Sequence, residues 1–479
     1  MDGFEPAFAA FLDEYPAFIE TAHIDELRRC EYGRLATGGH VYLDHTGGGL
    51  YAACQVREHA LMLEHEVLGN PHSLNPTSST ATALIERARE RVLSYFGAST
   101  DEYEVIFTPN ATGALRLVGE AYPFGPGDQL LLLSDNHNSV NGIREFASAR
   151  GAETTYVPCV APELRVDDHF LRLCLTEPAR GRNRLLAYPA QSNFTGVQHP
   201  LEWIQAAQSH GWDVVVDCAA FAPTNRIDLQ AVKPDFVPIS FYKLFGYPTG
   251  IGCLIARRST LAKLDRPWFA GGTILAVSVQ EHWHRPAAGH AAFEDGTVNY
   301  LSLPAVEIGL DWIDRVGLDS INTRVRALGS WLLDQLCSLR HPTGVPAVVV
   351  YGPATWNQRG ATIALNFLDA TGRVVDERLV DRLARNYRIS LRTGCFCNPG
   401  AGEAAFGIGA GMVTKARLGA PDMTIDDYIE AVGLPSGGAV RVSLGLPSNF
   451  ADAYRFMQFA RSFLELEEWH FDLPPRQSC

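Results

Sequence analysis

Short apolar runs alternate with segments of helix length along most of this chain, beginning at about residue 65. The runs are nearly continuous in Val, Ile and Leu, which is typical of strands that are buried on both faces of a mainly parallel sheet. Strands that alternate with helices favour βαβ units, so the pattern predicts an α/β fold. The predicted strands are Val105–Phe107, Leu130–Leu133, Arg184–Tyr188, Asp213–Val216, Phe236–Ile239 and Gly252–Ile255.

The hydrophobic pattern differs at the two ends of the chain. Apolar residues at helical spacing near the N-terminus predict a helical arm over residues 1–40. The α/β pattern predicts a large ligand-binding domain over residues 41–320. After about residue 310 the pattern becomes helical and then mixed, so residues 321–479 are expected to form a smaller α+β domain.

Clusters of polar and small residues follow the apolar runs, at the points where the predicted strands end. In open α/β sheets, ligands bind at the carboxyl ends of the strands. We therefore expect the chemistry at that edge of the sheet. The clusters are Thr108–Gly113, Asn136–Asn141, Gln191–Gly196 and Asp217–Ala220.

Lys243 follows a predicted strand and lies among aromatic and glycine residues. Burial disfavours the charged form of a lysine, and a neutral amine suits Schiff-base chemistry. Taken alone, the residue is also compatible with an ordinary surface lysine at a strand end. Asp217 ends the strand one βα unit upstream, where a buried carboxylate would hold a protonated pyridine nitrogen and make pyridoxal phosphate (PLP) an electron sink. A plain turn aspartate is the alternative interpretation.

The stretch from Thr108 to Gly113 predicts a strand that turns through small residues into a helix. Free amides at such a helix start, together with the Thr112 hydroxyl, form a cradle for a phosphate group. Turns of this kind are frequent, so this signal is weak by itself. His137 follows another predicted strand, where its ring either stacks on a cofactor or serves the fold alone.

Two cysteines one residue apart, Cys395 and Cys397, lie in a glycine-flanked stretch that begins at Arg392. A neighbouring cation lowers the pKa of a thiol and raises its thiolate fraction, so this stretch predicts a reactive site. A zinc site is one alternative, but the second cysteine or histidine pair that it needs does not follow. Two incidental loop cysteines are the other alternative. The Gly-, Ala- and Met-rich stretch from Gly400 to Met412 predicts a long loop: a lid, a docking surface or a flexible insertion.

The charge and composition restrict the partners. The 479 residues carry a formal net charge of −14, which argues against nucleic acid or an anionic membrane as the main partner, because phosphate groups need a basic surface. No stretch approaches the ~20 consecutive apolar residues of a membrane span. The acidic N-terminus lacks the pattern of a secretory signal and the ten cysteines are irregularly spaced, so we expect a cytoplasmic protein with mostly reduced thiols.

Together these segments resemble the class V, fold-type I PLP enzymes and, among them, the cysteine desulfurases. They are similar in particular to the N-terminal sulfurase domain of the eukaryotic molybdenum cofactor sulfurases. The matching motifs span about residues 40 to 460. They are Tyr42-Leu-Asp-His, Gly69-Asn-Pro-His-Ser, Tyr188-Pro-Ala-Gln-Ser-Asn-Phe-Thr-Gly-Val, Asp235-Phe-Val-Pro-Ile-Ser-Phe-Tyr-Lys, Phe293-Glu-Asp-Gly-Thr, Arg392-Thr-Gly-Cys-Phe-Cys-Asn-Pro-Gly and Val440-Arg-Val-Ser-Leu-Gly.

The resemblance implies a large PLP-binding domain and a smaller C-terminal domain that carries the Gly-Cys-Phe-Cys loop. It implies that Lys243 carries the cofactor and moves the substrate α-proton, that Asp217 pairs with the pyridine nitrogen and that His137 stacks on the ring. Arg441 would bind the substrate carboxylate by a bidentate contact, and Cys397 would accept the sulfur. The other implied cofactor ligands are Asn193 at the phenolic oxygen, Ala111, Thr112, Ser240 and Tyr242 at the phosphate, and Thr297 at the phosphate of the partner subunit's cofactor.

The implied activity is that of a cysteine desulfurase that works as a homodimer. The enzyme would release alanine from L-cysteine and carry persulfide sulfur on Cys397 to an acceptor, such as the molybdenum cofactor or a protein that carries it. A PLP-dependent C–S lyase acting on a cysteine conjugate, with Cys397 dispensable, is the alternative, and a non-catalytic scaffold is a third interpretation. The related sulfurases have a further C-terminal cofactor-binding domain for which this chain leaves no room, so a separate subunit or a different acceptor is expected.

Overall fold

A computed structural model of the protein describes residues 3–417, 423–434, 436–465 and 473–476. Helices occupy both ends of the described chain and the intervals between its strands. They are α1 (Phe4–Glu14), α2 (His23–Glu31), α3 (Arg34–Gly38), α4 (Ala53–His65), α5 (Pro76–Tyr95), α6 (Ala111–Ala121), α7 (Asn138–Asn141), α8 (Ile143–Ala149), α9 (Asp168–Thr176), α10 (Glu202–Ser209), α11 (Phe241–Phe245), α12 (Arg258–Leu261), α13 (Pro304–Val316), α14 (Leu318–Ser338), α15 (Glu377–Asn386), α16 (Pro399–Phe406), α17 (Ala410–Arg417), α18 (Ile425–Val432) and α19 (Phe450–Ser462), with 3-10 helices at Pro16–Thr21 and Gly289–Ala292.

In the part of the chain that the structure describes, the strands form one large sheet, one smaller sheet and three short two-stranded pairs. They are β1 (Val41–Tyr42), β2 (Tyr103–Thr108), β3 (Gln129–Leu133), β4 (Glu153–Val157), β5 (Cys159–Val160), β6 (Arg165–Val166), β7 (Arg184–Pro189), β8 (Asp213–Asp217), β9 (Phe236–Ser240), β10 (Gly252–Arg257), β11 (Ile274–Ser278), β12 (Trp283–Pro286), β13 (Val348–Tyr351), β14 (Thr362–Phe367), β15 (Ile389–Ser390), β16 (Arg392–Gly394) and β17 (Ala439–Ser443).

The large sheet has seven strands in the order β2-β10-β9-β8-β7-β3-β4. Parallel pairing joins β4, β3, β7, β8 and β9, whereas β10 runs antiparallel to both of its neighbours. Each of the six apolar runs lies in one of these strands, so their prediction as buried strands is confirmed. The seventh strand, β4, lies at the edge and alternates between exposed and partly buried residues. It carries no continuous apolar run, which is why the pattern did not predict it.

The smaller sheet is antiparallel, with the order β13-β14-β17-β16. The long helix α14 packs against α19 and β13, so a layer of helices covers this sheet. Strand β16 leads directly into the Gly-Cys-Phe-Cys segment. The two cysteines therefore follow directly after the end of a strand of the antiparallel sheet.

The N-terminal helices pack onto the C-terminal part of the chain. Phe11 of α1 is fully buried, and its ring lies 4.7 Å from that of Phe450 and 4.9 Å from that of Phe18. The helical character predicted for the first forty residues is present in α1, α2 and α3. Among the described residues, no helix is both long enough and apolar enough to cross a membrane.

Replacement of Phe11 by alanine is expected to lower the free energy of unfolding by about 3–5 kcal/mol, because it removes a fully buried ring from an aromatic cluster. The same substitution at Phe170, which is 37 % exposed on α9, serves as the matched control and should have a much smaller effect. Urea-unfolding curves of the two variants measure the difference. Equal destabilisation by both variants would contradict the packing described for α1.

Candidate active site

A cavity of about 160 Å³ opens at the carboxyl edge of the large sheet. The turns that follow β2, β3, β7, β8 and β9 line it, which is the location that the polar clusters predicted. Parallel strand topology thus brings residues that are distant in sequence into one site. The predicted site residues that meet here are Ala111, Thr112, His137, Asn193, Asp217, Ser240, Tyr242 and Lys243.

Lys243 lies in α11, a single helical turn that begins directly after β9. The turn ends at Gly246, whose φ of 81° is left-handed. A Cβ at this glycine would lie 2.3 Å from the backbone nitrogen of Tyr51, so only glycine allows the 49–51 segment to approach the turn. The backbone N–H of Gly49 donates to the carbonyl of Tyr242 at 3.0 Å. These contacts fix the backbone around the lysine.

The charge state of Lys243 depends on its burial and on charged neighbours. Burial lowers the pKa of its amine, Asp217 opposes this shift, and Arg441 and Arg392 lower the pKa further. Asp217 ends β8, is buried, and accepts a hydrogen bond from the Ala219 N–H through Oδ1 at 2.9 Å. Among the described residues, none donates a hydrogen bond to its Oδ2. One carboxylate oxygen therefore remains available to a ligand in the cavity.

His137 caps the N-terminus of α7, because its Nδ1 accepts a hydrogen bond from the Ser139 N–H at 3.1 Å. Burial lowers the pKa of the imidazole, Asp217 opposes this effect, and Lys243 and Arg441 add to it. The accepted hydrogen bond and the lowered pKa both favour the neutral ring. His137 therefore contributes an uncharged aromatic wall to the cavity.

The start of α6 gives the cavity an anion-binding end. Asn110 caps this helix, since its Oδ1 accepts from the Gly113 N–H at 2.9 Å. The Ser240 hydroxyl oxygen accepts from the Ala111 N–H at 2.9 Å, and Thr112 lines the same end. Helix N-terminal amides and nearby hydroxyl groups bind phosphate well.

The Gly-Cys-Phe-Cys segment lies beside this cavity in a strained conformation. Phe396 and Cys397 have positive φ angles of 56° and 54°, each of which costs of order 1–3 kcal/mol in a non-glycine residue. The Phe396 ring is buried against Phe194, with 5.1 Å between ring centroids, whereas Cys397 is exposed. The Cys397 carbonyl accepts from the Asn138 N–H at 2.7 Å, one residue after His137. The cysteine segment is thus tied to the cavity wall.

Asn193 connects the cavity to the cysteine segment. Its Nδ2 donates to the Phe396 carbonyl at 2.8 Å, and its Oδ1 accepts from Asn398 Nδ2 at 2.8 Å. A primary amide has two N–H groups, so one remains for a ligand in the cavity that Asn193 lines. The sequence predicted a cofactor contact for this residue but did not predict its contacts with the cysteine segment.

Arg441 lies on β17, directly opposite Arg392 on β16. Asp44 joins them, because its Oδ1 accepts from Arg441 at 3.0 Å and its Oδ2 from Arg392 at 2.6 Å. Arg441 also donates to the Asn193 carbonyl at 3.0 Å, and its guanidinium lies 4.7 Å from the centre of the Phe396 ring. Arg441 does not itself line the cavity but contacts Asn193, which does. Two cations share one carboxylate here, so a net positive charge remains next to the cavity wall.

Thr297 does not join the other predicted residues. It lines a second cavity of about 400 Å³, together with Trp268 and Phe293, and its hydroxyl accepts from Asn70 Nδ2 at 3.3 Å. The predicted role of Thr297 at a partner subunit's cofactor requires a second chain.

A sequence model described as aminotransferase class-V matches residues 41–456. The chain belongs to the class V aminotransferase family. The molybdenum cofactor sulfurase of Bos taurus is 37 % identical over 479 residues, which cover 94 % of this chain and 53 % of the relative. The molybdenum cofactor sulfurase of Homo sapiens is 36 % identical over 455 residues, covering 91 % of this chain and 50 % of the relative. The chain thus spans about half the length of the curated relatives that it matches.

A solved structure confirms the fold of this class V aminotransferase. The apo structure of a cysteine desulfurase from Thermococcus onnurineus NA1 matches with a TM-score of 0.75 and 22 % identity, covering 92 % of this chain and 98 % of that one. Likeness at this level of identity establishes the fold. The predicted fold-type I architecture, with its mainly parallel sheet and flanking helices, is confirmed.

The prediction of a long loop from Gly400 to Met412 is wrong. Helix α16 begins at Pro399, and α17 follows after Gly407, which has a left-handed φ of 68°. Asn398 caps α16 by accepting from the Ala401 N–H at 3.2 Å. An asparagine before a proline is a usual helix start, and alanine favours the helix interior, so this signal was present in the sequence.

Pattern reasoning assigned no role to Asp44, Asn110 or Asn398 of this class V aminotransferase. The helix-cap signal identifies Asn398 as a structural residue, although not its contacts with Asn193. Asp44 gives no local signal, because its two arginine partners lie about 350 to 400 residues away in the chain. Only the tertiary structure brings these charges together.

In the cofactor-free protein, Lys243 should react with an amine-directed reagent at a lower pH than Lys233 and Lys263, because its pKa is lowered and only the neutral amine reacts. Lys233 and Lys263 are suitable references, since each is partly exposed in an ion pair. Reductive methylation across a pH series, followed by peptide mass spectrometry, measures the three midpoints. Asp217→Asn should move the Lys243 midpoint to still lower pH, since it removes the opposing charge. An unchanged or raised midpoint would contradict this account of the site.

Proposed function

We propose that the protein is a PLP-dependent cysteine desulfurase of the molybdenum cofactor sulfurase type. One observation carries the proposal: an exposed cysteine, Cys397, is hydrogen-bonded through its backbone to the wall of a cavity that contains a partly buried lysine and a buried carboxylate. A thiolate in this position would act as a nucleophile towards a bound substrate. The names of the sulfurase relatives support the same activity.

The polar groups around the cavity fit the phosphate, the pyridine nitrogen and the phenolic oxygen of PLP. The N-terminus of α6, with Ala111, Thr112 and Ser240, would hold the phosphate. The available Oδ2 of Asp217 would hold a protonated pyridine nitrogen, and the spare N–H of Asn193 would donate to the phenolic oxygen. The cofactor supplies an electron sink that makes the α-proton of a bound amino acid acidic.

Lys243 and Cys397 would carry out the proton transfer and the sulfur transfer. Lys243 Nζ, with its lowered pKa, would accept the α-proton and later return a proton to the product carbon. The Cys397 thiolate would form a bond to the substrate sulfur while the carbon–sulfur bond breaks and its electron pair stays with carbon. The products are alanine and a persulfide on Cys397, and no external oxidant is needed.

Arg441 would orient the substrate through its carboxylate. With Arg392 it shares a single counter-ion, Asp44, so the excess positive charge suits an amino-acid carboxylate. Tyr242 and the neutral His137 would complete the walls around the cofactor. For Arg441 and His137 these proposed roles are the ones that the resemblance implies, whereas Tyr242, for which the resemblance implies a phosphate contact, is proposed here only as part of the cavity wall.

The decisive test is to mix PLP-loaded protein with L-cysteine in the absence of reductant. Alanine and persulfide on Cys397 should form in equal amounts, and Cys397→Ser should abolish both while PLP absorbance is retained. Cys30→Ser, a change at another exposed cysteine, is the matched control and should leave both products unchanged. Formation of pyruvate and ammonia without persulfide would sink this proposal and assign the protein to the C–S lyases.

The final sulfur acceptor is a separate part of the proposal. The relatives named molybdenum cofactor sulfurase suggest the molybdenum cofactor, or a protein that carries it, as the acceptor of persulfide sulfur. Because the chain covers about half of those relatives, the acceptor site would lie on another chain or on further sequence. We place this reaction in the cytoplasm.

We further propose that the protein acts as a homodimer. The β11–β12 hairpin projects apolar side chains into solvent, with Leu275, Val279 and Trp283 exposed by 69, 99 and 54 %. An isolated two-stranded hairpin is marginally stable, and exposed apolar patches mark interaction sites. The base of the hairpin at Gly272 lies near the 66–75 segment, where Leu74 is 97 % exposed. A second copy would cover this surface and bring a partner's cofactor to Thr297.

Val279→Glu is expected to convert the dimer to a monomer, because it places a charge in the middle of the proposed apolar contact. Val160→Glu, at a valine that is 53 % exposed on β5, is the matched control and should remain a dimer. Light scattering coupled to size-exclusion chromatography gives both masses. A wild-type protein that is monomeric at micromolar concentration would contradict the proposal.

A further inference from the structure

The position of Cys397 depends on a few contacts of the segment that carries it. Phe396 and Cys397 occupy left-handed backbone conformations, which persist only where the surroundings enforce them. The backbone of this segment is held at two points, where the Phe396 carbonyl accepts from Asn193 and the Cys397 carbonyl accepts from Asn138. A third point of attachment lies on the C-terminal side, where the chain enters α16.

Asn398 makes that attachment and is fully buried. Its Nδ2 donates to the Asp135 carbonyl at 2.6 Å and to Asn193 Oδ1 at 2.8 Å. Its Oδ1 accepts from the Ala401 N–H at 3.2 Å, and its backbone N–H donates to the Cys395 carbonyl at 3.0 Å. One side chain thus joins the cysteine segment, the helix that follows it and the edge of the large sheet.

The contact between the two asparagines has a second consequence. Asn398 Nδ2 donates a hydrogen bond to Asn193 Oδ1 and so fixes which end of the Asn193 amide is the oxygen. The other end, Nδ2, is therefore the donor to the Phe396 carbonyl. That end also carries the remaining N–H of a residue that lines the cavity. Asn398 therefore orients an amide that serves the cavity and the cysteine segment together.

We propose that Asn398 is a positioning residue that holds Cys397 in register with the substrate-binding cavity through the two hydrogen bonds of its Nδ2. This inference deepens the proposed desulfurase function and rests on it for the identity of the reaction. The main effect of Asn398 is on the position of the thiol, because the amino acid itself would bind through Arg441. Reacting groups that are misplaced by about 1 Å lose on the order of a hundredfold in rate.

Three variants separate this role from a general loss of stability. Asn398→Ala removes both donors and the cap of α16. Asn398→Asp keeps an oxygen for the Ala401 N–H but removes both donors, and it sets a carboxylate against the Asp135 carbonyl and the Asn193 amide oxygen. Asn449→Ala removes the cap of α19, where the asparagine side chain accepts from the Asp452 N–H, and is the matched control for a lost cap.

The first measurement follows persulfide on Cys397 during a single turnover of PLP-loaded protein with L-cysteine. Both Asn398 variants should form it at least tenfold more slowly than the wild type, while the L-cysteine concentration for half-maximal rate changes by less than about threefold. Asn449→Ala should match the wild type. If Asn398→Asp also matches the wild type, the cap alone matters and the proposed role of Nδ2 is wrong.

The second measurement needs neither cofactor nor substrate. Iodoacetamide labelling of Cys397, relative to the exposed Cys30 in the same sample, should change at least threefold in both Asn398 variants, because the thiol leaves its fixed surroundings. The ratio should stay constant in Asn449→Ala. A wild type that forms no persulfide would overturn the proposed function alone, whereas unchanged labelling in both Asn398 variants would overturn the positioning role alone.

Discussion

The arrangement around Cys397 depends on one carboxylate, Asp44. Arg392 and Arg441 stand directly opposite each other on antiparallel strands, a placement in which like charges repel. Asp44 lies between them; burial raises its pKa, but hydrogen bonds and charge from the two arginines outweigh burial and lower it. This anion offsets the repulsion between the two arginines and so stabilises the pairing of β16 with β17 at the observed register. Since β16 leads into the cysteine segment, the position of Cys397 follows from that pairing.

The features that could be predicted from the sequence are those determined by local periodicity and strand topology, namely the buried strands and the edge of the sheet at which ligands bind. The six buried strands were predicted correctly, because a continuous apolar run identifies a strand. The polar residues that follow several of them line one cavity, because parallel strands place their carboxyl ends at one edge of the sheet. The edge strand β4 and helix α16 were missed, the first because it is half exposed and the second because its glycines suggested a loop. Contacts between distant polar residues, such as Asp44 with Arg441, have no periodic signature.

The cysteine segment places an exposed thiol beside the cavity of a class V aminotransferase fold. The cavity belongs to the parallel sheet, whereas the thiol comes from the antiparallel sheet. Asn193 is the residue that both share: its backbone carbonyl accepts from Arg441 and its amide contacts Phe396 and Asn398. A strained segment is tolerated here because these hydrogen bonds offset the cost of the left-handed residues.

The two arginines proposed to attract the substrate carboxylate also affect the pKa of Lys243. Arg441 and Arg392 lower the pKa of Lys243 in addition to the effect of burial, while Asp217 acts in the opposite direction. A substrate carboxylate bound at Arg441 would neutralise part of that positive field and so raise the pKa of Lys243. This sign would suit the proposed role of Lys243, which reacts as a neutral amine and later accepts a proton. The partly compensated pair of arginines beside the cavity would therefore contribute to catalysis as well as to recognition.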